Sequence, residues 1–247
     1  MGTEPAGVPV LSVVVPVLDE AGSLEQLYDE LVDALGFLEG SFELLFVDDG
    51  SRDGSVEVLD KLARADARVR VLAFESHLGQ SAALAAGFGA ARGEFTGTLD
   101  ADLQNDPADF EALMARVEDA DVVNGVRVER HDSWQRIVSS RIANAVRNRL
   151  TGDSITDVGC SLRVMRTSFL RRVKLYDGLH RFLPTLLRLE GARVVEVPVA
   201  HRPRLHGRSK YGIRNRLFKG IVDLVAVRWM IRRHIRTRLR EGGSRAD

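Results

Sequence analysis

Residues 99–107 read LDADLQNDP, which places Asp100, Asp102, Gln104 and Asp106 directly after a short hydrophobic run. Carboxylates at i and i+2 repel unless a cation or a set of hydrogen-bond donors lies between them. With oxygen donors and no histidine or cysteine nearby, the cation such a pair suits is Mg²⁺ or Mn²⁺, which commonly bridges carboxylates to a substrate diphosphate. Acids also follow two other β-branched runs: Asp19 and Glu20 after LSVVVPV, and Asp48, Asp49 and Asp53 in FELLFVDDGSRD. Asp53 and Asp106 suit helix caps or turns equally well. Alone, D-x-D is common by chance; its place at a strand end gives it weight.

Such acids meet only if the strands that carry them are parallel and neighbours. LSVVVPV (11–17) is a continuous apolar run of the kind found in strands covered on both faces. SLEQLYDELVDAL follows with Leu24, Leu27, Leu31 and Leu35 at helical spacing, and Ser23 is placed to cap it. FELLFVDDGS, SVEVLDKLARAD, VRVLAFES, GQSAALAAGFGAARG and EFTGTLDAD then alternate strand and helix. The small residues of GQSAALAAGFGAARG predict a helix packed closely on a sheet. Successive βα units predict an α/β fold: a mostly parallel sheet with helices on both faces. Ligands of such sheets sit beyond the carboxyl ends of the strands, at the switch in strand order, which is where these acids fall.

At 247 residues and 45% hydrophobic content the chain can bury one large core. Its single cysteine, Cys160, excludes an internal disulfide and a cysteine-based zinc cluster. MGTEPAGVPV has neither a basic n-region nor a long apolar h-region, so no signal or transit peptide is expected and the chain reads as cytoplasmic. The net charge of zero hides a split. Residues 1–200 carry 21 Lys+Arg against 32 Asp+Glu, and residues 201–247 carry 14 against 3. A basic tail on an acidic body points to an anionic partner, either nucleic acid or membrane headgroups.

VVVPVLDE, FVDDGSRDGS, LDADLQNDP and GVRVER, arriving in order at βα spacing, resemble the family 2 glycosyltransferases, inverting enzymes with a GT-A fold. Within them the chain looks most like the polyprenyl-phosphate sugar synthases, the dolichol-phosphate mannose synthase group, over roughly residues 9–235. The resemblance implies a nucleotide-sugar donor, GDP- or UDP-linked, a hexose such as mannose or glucose, and a polyprenyl-phosphate acceptor. It carries Pro16, Val17, Leu18 and Glu20 to the nucleotide pocket, with Leu18 standing where many members have an aromatic. Asp48 takes the position that contacts the base, with Asp49 and Ser51 as its supports. Asp100 and Asp102 match the metal motif that brackets Ala101, and Gln104 a further metal or diphosphate contact. Arg127, Arg136 and Ser140 match positions that hold the acceptor phosphate; arginine suits a phosphate because its fork donates two hydrogen bonds and stays charged. DVGCSLRVMRTSFL resembles an element lining the acceptor side, with Ser161 in place of the usual glycine. Asp157 there corresponds to a catalytic base in related transferases. An acceptor phosphate already carries an anionic oxygen, so Asp157 is given a positioning role, with general base as the weaker reading. Arg204, Gly207, Ser209, Lys210 and Tyr211 match a loop that closes over donor diphosphate and acceptor phosphate.

The expected layout is a catalytic domain over 1–212, a basic amphipathic segment over 213–240 and a disordered tail over 241–247. Residues 217–231 are mostly apolar but too short to span a bilayer, and Lys219, Asp223 and Arg228 interrupt them. An interfacial helix fits, with Leu217, Phe218, Ile221, Leu224, Val225, Trp229 and Met230 available to lipid and the flanking arginines to headgroups. Peripheral attachment to the cytoplasmic face of a membrane, or anchoring by a membrane-embedded partner subunit, is therefore expected. Other classes fit less well. A nucleic-acid binder leaves the acid-tipped strands unexplained and lacks stacking aromatics in the tail. A Rossmann dehydrogenase would place G-x-G-x-x-G after the first strand, where this chain has none. A transferase acting on a saccharide or small hydroxyl compound stays open; it needs a proton acceptor such as Asp157 and has no use for Arg136 and Ser140.

Overall fold

The structure, a computed structural model, describes residues 8–128, 144–203 and 213–235, with side chains throughout except at 213–219. Strands and helices alternate from the start: β1 (Leu11–Val17), α1 (Ala21–Ala34), β2 (Phe42–Asp48), α2 (Ser55–Ala65), β3 (Val69–Ala73), α3 (Gln80–Ala90), β4 (Phe95–Thr98) and α4 (Asp109–Met114). β5 (Val122–Arg127) is followed by helical residues 144–151, here α5, and then by β6 (Arg163–Arg166), α6 (Thr167–Leu170), α7 (Leu183–Leu189), β7 (Val194–Val199) and α8 (Ile213–Arg233).

The seven strands form one sheet in the order β3-β2-β1-β4-β6-β5-β7. β1 is parallel to both β2 and β4, with Val14 opposite Leu45 on one side and Thr98 on the other. β6 alone runs against its neighbours β4 and β5. Strand order therefore reverses across β1 and β4, and the carboxyl ends of β1, β2 and β4 open on the same edge. That is the crevice the acids were expected to occupy.

Two apolar layers cover the sheet. Leu24, Leu27 and Leu31 of α1, with Leu35 just past its end, pack on Val13, Val15, Leu44 and Phe46, while Val14, Leu45 and Val47 face Ala83, Leu84 and Phe88 across the sheet. This alternation follows from the two-residue period of a strand. The small-residue helix α3 packs as closely as predicted: a Cβ on Gly87 would come 2.3 Å from Val14 Cγ1.

The helix start differs from expectation. α1 begins at Ala21, and Ser23 lies inside it rather than capping it. The caps come from the neighbouring loop instead: Asp19 N, Glu20 N and Ala21 N donate to Ser51 Oγ, Ser55 Oγ and Asp53 Oδ2 at 2.9, 3.0 and 3.0 Å. The Ser23 hydroxyl lies within donor distance of Glu20 O (2.9 Å) and Ala101 O (2.8 Å), which ties α1 to the acidic loop after β4. Each buried leucine of α1 contributes about 2 kcal/mol. A side-chain cap contributes about 1 kcal/mol, so packing rather than a local capping motif sets this helix. β4 ends at Thr98 and β3 at Ala73, short of the runs EFTGTLDAD and VRVLAFES, because the chain turns into the loops of the crevice.

Candidate active site

The loop after β4 is built by alternation. Ala101 and Leu103 are 3% and 1% exposed and sit in the core, which leaves Asp100, Asp102 and Gln104 to the other side. Leu103 adopts φ +60°, a left-handed conformation that costs a leucine about 1–2 kcal/mol. Full burial of its side chain offsets that cost. Gln104 N donates to Asp102 Oδ1 (3.2 Å), and Gln80 Nε2 at the start of α3 donates to Asp100 Oδ1 (2.8 Å).

At the end of β2, Asp48 and Asp49 are both buried and do different work. Asp48 Oδ2 accepts Gly50 N and Ser51 N at 3.1 and 3.0 Å, while its buried Oδ1 has no hydrogen-bond partner among the described residues. Such an orphan acceptor costs about 1–3 kcal/mol unless a ligand supplies a donor. Asp49 instead grips the loop before α3, accepting Leu78 N at 2.7 Å and Gly79 N at 2.9 Å beside His77 Nδ1 at 2.8 Å. Ser51 bonds to Asp48 through its backbone N–H, whereas Asp49 supports the 77–79 loop.

Asp53 and Asp106 hold loops together. Asp53 takes Ser55 N, Ser55 Oγ and Ala21 N; burial raises its pKa, but these bonds outweigh burial and leave the carboxyl below its ordinary value. Asp106 accepts Ala108 N and pairs with Arg202 at 2.8 Å. Val17 and Ala101 have their side chains in the core, so they can meet a ligand only through the backbone.

Behind Asp100 lies a cavity of about 30 Å³ lined by Pro16, Gln80, Asp100, Ser161, Arg163 and His180. Sequence reasoning did not single out Gln80, Arg163 or His180. Arg163 donates to Cys160 O (2.5 Å), His180 O (3.2 Å) and Val158 O (3.4 Å), and its Nε has no partner among the described residues. Burial lowers its pKa, and the negative field of the Asp100 and Asp157 carboxylates opposes that loss. Ser161, in place of glycine, accepts Asn105 Nδ2 through its hydroxyl (3.0 Å) and Thr98 Oγ1 through its carbonyl (2.6 Å). Cys160 is a buried thiol pushed up to about 11 by burial, consistent with a packing role.

Half-buried Arg127 and buried Asp157 form a two-pronged pair: Nε donates to Oδ2 at 2.7 Å and Nη2 to Oδ1 at 2.9 Å, with Gly159 N adding a bond to Oδ1 at 3.1 Å. Gly159 leaves room for this arrangement: a Cβ there would come 2.8 Å from Arg127 Nη2 and push the guanidinium aside. After β7 the chain returns over the acidic loop. His201 pairs with Asn105 and Arg202 N donates to Gln104 O (2.8 Å), so residues 201 and 202 lie beside the loop of Asp102 and Gln104. Arg204, Ser209 and Lys210 themselves, with Arg136 and Ser140, lie outside the described residues.

The donor set fits a hard divalent cation. Asp100 and Asp102 offer hard carboxylate oxygens on one loop, the donors that Mg²⁺ and Mn²⁺ take together with water and substrate phosphate.

Residues 12–174 match Glycosyl transferase family 2. The chain belongs to that family. One curated relative is the dodecaprenyl-phosphate galacturonate synthase of Rhizobium johnstonii, 37% identical over 90% of this chain and 67% of the relative. The undecaprenyl-phosphate 4-deoxy-4-formamido-L-arabinose transferase of Edwardsiella ictaluri is 38% identical over 87% of this chain and 66% of that protein. This chain thus spans about two thirds of the length of these relatives. The fold is that of the mannosyltransferase PcManGT from Pyrobaculum calidifontis, solved with GDP-Man and Mn²⁺, at TM-score 0.65 and 19% identity over 90% of this chain and 67% of that one. Glucosyl-3-phosphoglycerate synthase from Mycobacterium tuberculosis aligns at TM-score 0.65 and 20% identity over 89% and 80% of the two chains. The family 2 enzyme described here therefore has the mostly parallel sheet predicted from its βα units and the GT-A arrangement that the resemblance implied.

Proposed function

We propose that this family 2 glycosyltransferase moves a sugar from a nucleoside diphosphate to a polyprenyl phosphate, with inversion and with Mg²⁺ or Mn²⁺ bound at Asp100, Asp102 and Gln104. The observation that carries it is the convergence on one sheet edge of the orphaned Asp48 acceptor, the acidic loop after β4 and the paired Arg127. Relatives named for polyprenyl-phosphate chemistry supply the acceptor class. Their names carry galacturonate and a formamido-arabinose, so the expectation of mannose or glucose has no support from them and the sugar is a matter for assay.

The chemistry is one displacement. An acceptor phosphate oxygen forms the new bond to the anomeric carbon as the bond to the diphosphate oxygen breaks, and the nucleoside diphosphate leaves with the electron pair. A bound cation offsets the charge growing on that leaving group. Asp48 Oδ1 accepts from the base. Arg127, held by Asp157, fixes the acceptor phosphate opposite the leaving group. Both oxygens of Asp157 carry donors, which favours the positioning role over proton transfer. Arg136, Ser140, Arg204, Ser209 and Lys210 complete the phosphate sites in this proposal.

A ligand that binds only the folded state raises the melting temperature by mass action. UDP or GDP is expected to do so with Mn²⁺ and not with EDTA; equal melting temperatures for all four combinations would contradict the site.

We place the acceptor side against a membrane surface through α8. No helix among the described residues is long and apolar enough to cross a bilayer. Val227 is fully buried against Leu179, Phe182 and Leu186, and Leu224 and Met230 pack on the same cluster, so these two do not face lipid as expected. The exposed stripe is Ile221, Val222, Val225 and Trp229, with exposures of 54%, 53%, 64% and 63%. Arg228 donates to Leu150 O, and Arg232 and Arg233 end the helix. An apolar stripe beside cations suits an interface of anionic lipid. Trp229→Glu is expected to lower co-sedimentation with phosphatidylglycerol vesicles severalfold without changing nucleotide binding. Unchanged sedimentation would shift anchoring to a membrane-embedded partner subunit.

A further inference from the structure

Gln80 is the first residue of α3, and its amide donates to Asp100 Oδ1 at 2.8 Å. It reaches that point because the preceding loop is pinned. Asp49, buried at the end of β2, accepts Leu78 N and Gly79 N and pairs with His77, while Gly79 takes φ +100°, open in practice only to glycine. The next residue fixes the helix start from the other side: Ser81 Oγ accepts Gly178 N at 3.0 Å and lies 2.7 Å from His180 Nδ1. A neutral amide is a suitable holder, since it restrains the carboxylate without cancelling the charge a cation needs.

We infer that Asp49 and Gln80 act as one positioning unit, in which Asp49 anchors the 77–79 loop so that the Gln80 amide sets the orientation of the Asp100 carboxylate; this rests on reading Asp100 and Asp102 as cation ligands. Asp49 is then no ligand of the nucleotide, although it adjoins Asp48. Donors behind a metal-binding carboxylate are commonly worth about 10–100-fold in metal affinity.

The test is a Mn²⁺ titration of the full chain in saturating UDP and, separately, GDP, with free Mn²⁺ read by electron paramagnetic resonance. Gln80→Leu and Asp49→Asn are each expected to weaken Mn²⁺ binding about tenfold. The double variant is expected to lose no more than the worse single one, because both changes release the same carboxylate. Gln80 is partly exposed, so Gln80→Leu remains a valid test even if Asp49→Asn fails to fold, as circular dichroism would report. Wild-type affinity in Gln80→Leu, with binding abolished in Asp102→Ala, overturns the positioning unit alone. So does a double-variant loss equal to the product of the single losses. A wild-type chain that binds no Mn²⁺ with either nucleotide overturns the cation site and the positioning unit together.

Discussion

Replacing Asp102 by alanine is expected to lower sugar transfer by about 10³-fold at saturating Mn²⁺, the scale on which charge-stabilising groups act in a transition state. The fold should survive. Within the loop Asp102 accepts Gln104 N, whereas Ala101 and Leu103 anchor the segment in the core. Melting temperature should therefore stay near that of the wild type while activity falls, and Asp102→Glu should recover little because the extra methylene displaces the carboxylate. Transfer rates within threefold of wild type for Asp102→Ala would remove this residue from the chemistry.

Asp157→Ala should fail differently. Arg127, with 15% of its side chain exposed, donates twice to a carboxylate that is 6% exposed. Breaking a largely buried pair from one side costs about 3–5 kcal/mol because the remaining charge loses the two bonds that offset its burial. At about 2–4 °C per kcal/mol for a chain of this size, the melting temperature should fall on the order of 10 °C. Arg127→Met combined with Asp157→Leu should recover much of that loss, since apolar replacement of a buried pair is often close to neutral. Activity should stay low in the double variant, because the arginine is gone. Recovery of both stability and transfer would mean that the pair is only structural.

The sheet was legible because β1, β2 and β4 are buried along their length and α1 buries one leucine stripe, so period alone identifies them. The acids at the strand ends were legible for a related reason: βα connectivity forces parallel strand ends to one edge, and LDADLQNDP, VDDGS and VLDE all fall there. Residues acting through tertiary contact were not. Ser23 looks like a cap, but the caps of α1 come from Ser51, Asp53 and Ser55, 32 to 35 positions along the chain. Gln80 begins a helix rich in alanine and glycine whose evident purpose is close packing, and nothing local marks it as the partner of Asp100, twenty positions away. Arg163 lies in DVGCSLRVMRTSFL, which the resemblance assigned to the acceptor side as a whole, and nothing local marks it as buried beneath the site. The faces of α8 also needed the structure: Leu224 and Met230 suit a lipid stripe by composition, and only packing against Leu179 and Phe182 turns them inward.

The most direct measurement is transfer of radiolabel from a panel of UDP- and GDP-linked hexoses, hexuronates and aminopentoses to undecaprenyl phosphate with Mn²⁺, read by partition between butanol and water. One donor is expected to move label into the organic phase, only with metal and only when the lipid phosphate is present. Label that stays in water for every donor, or that moves to a saccharide acceptor with the lipid phosphate absent, would contradict the assignment of a polyprenyl-phosphate acceptor.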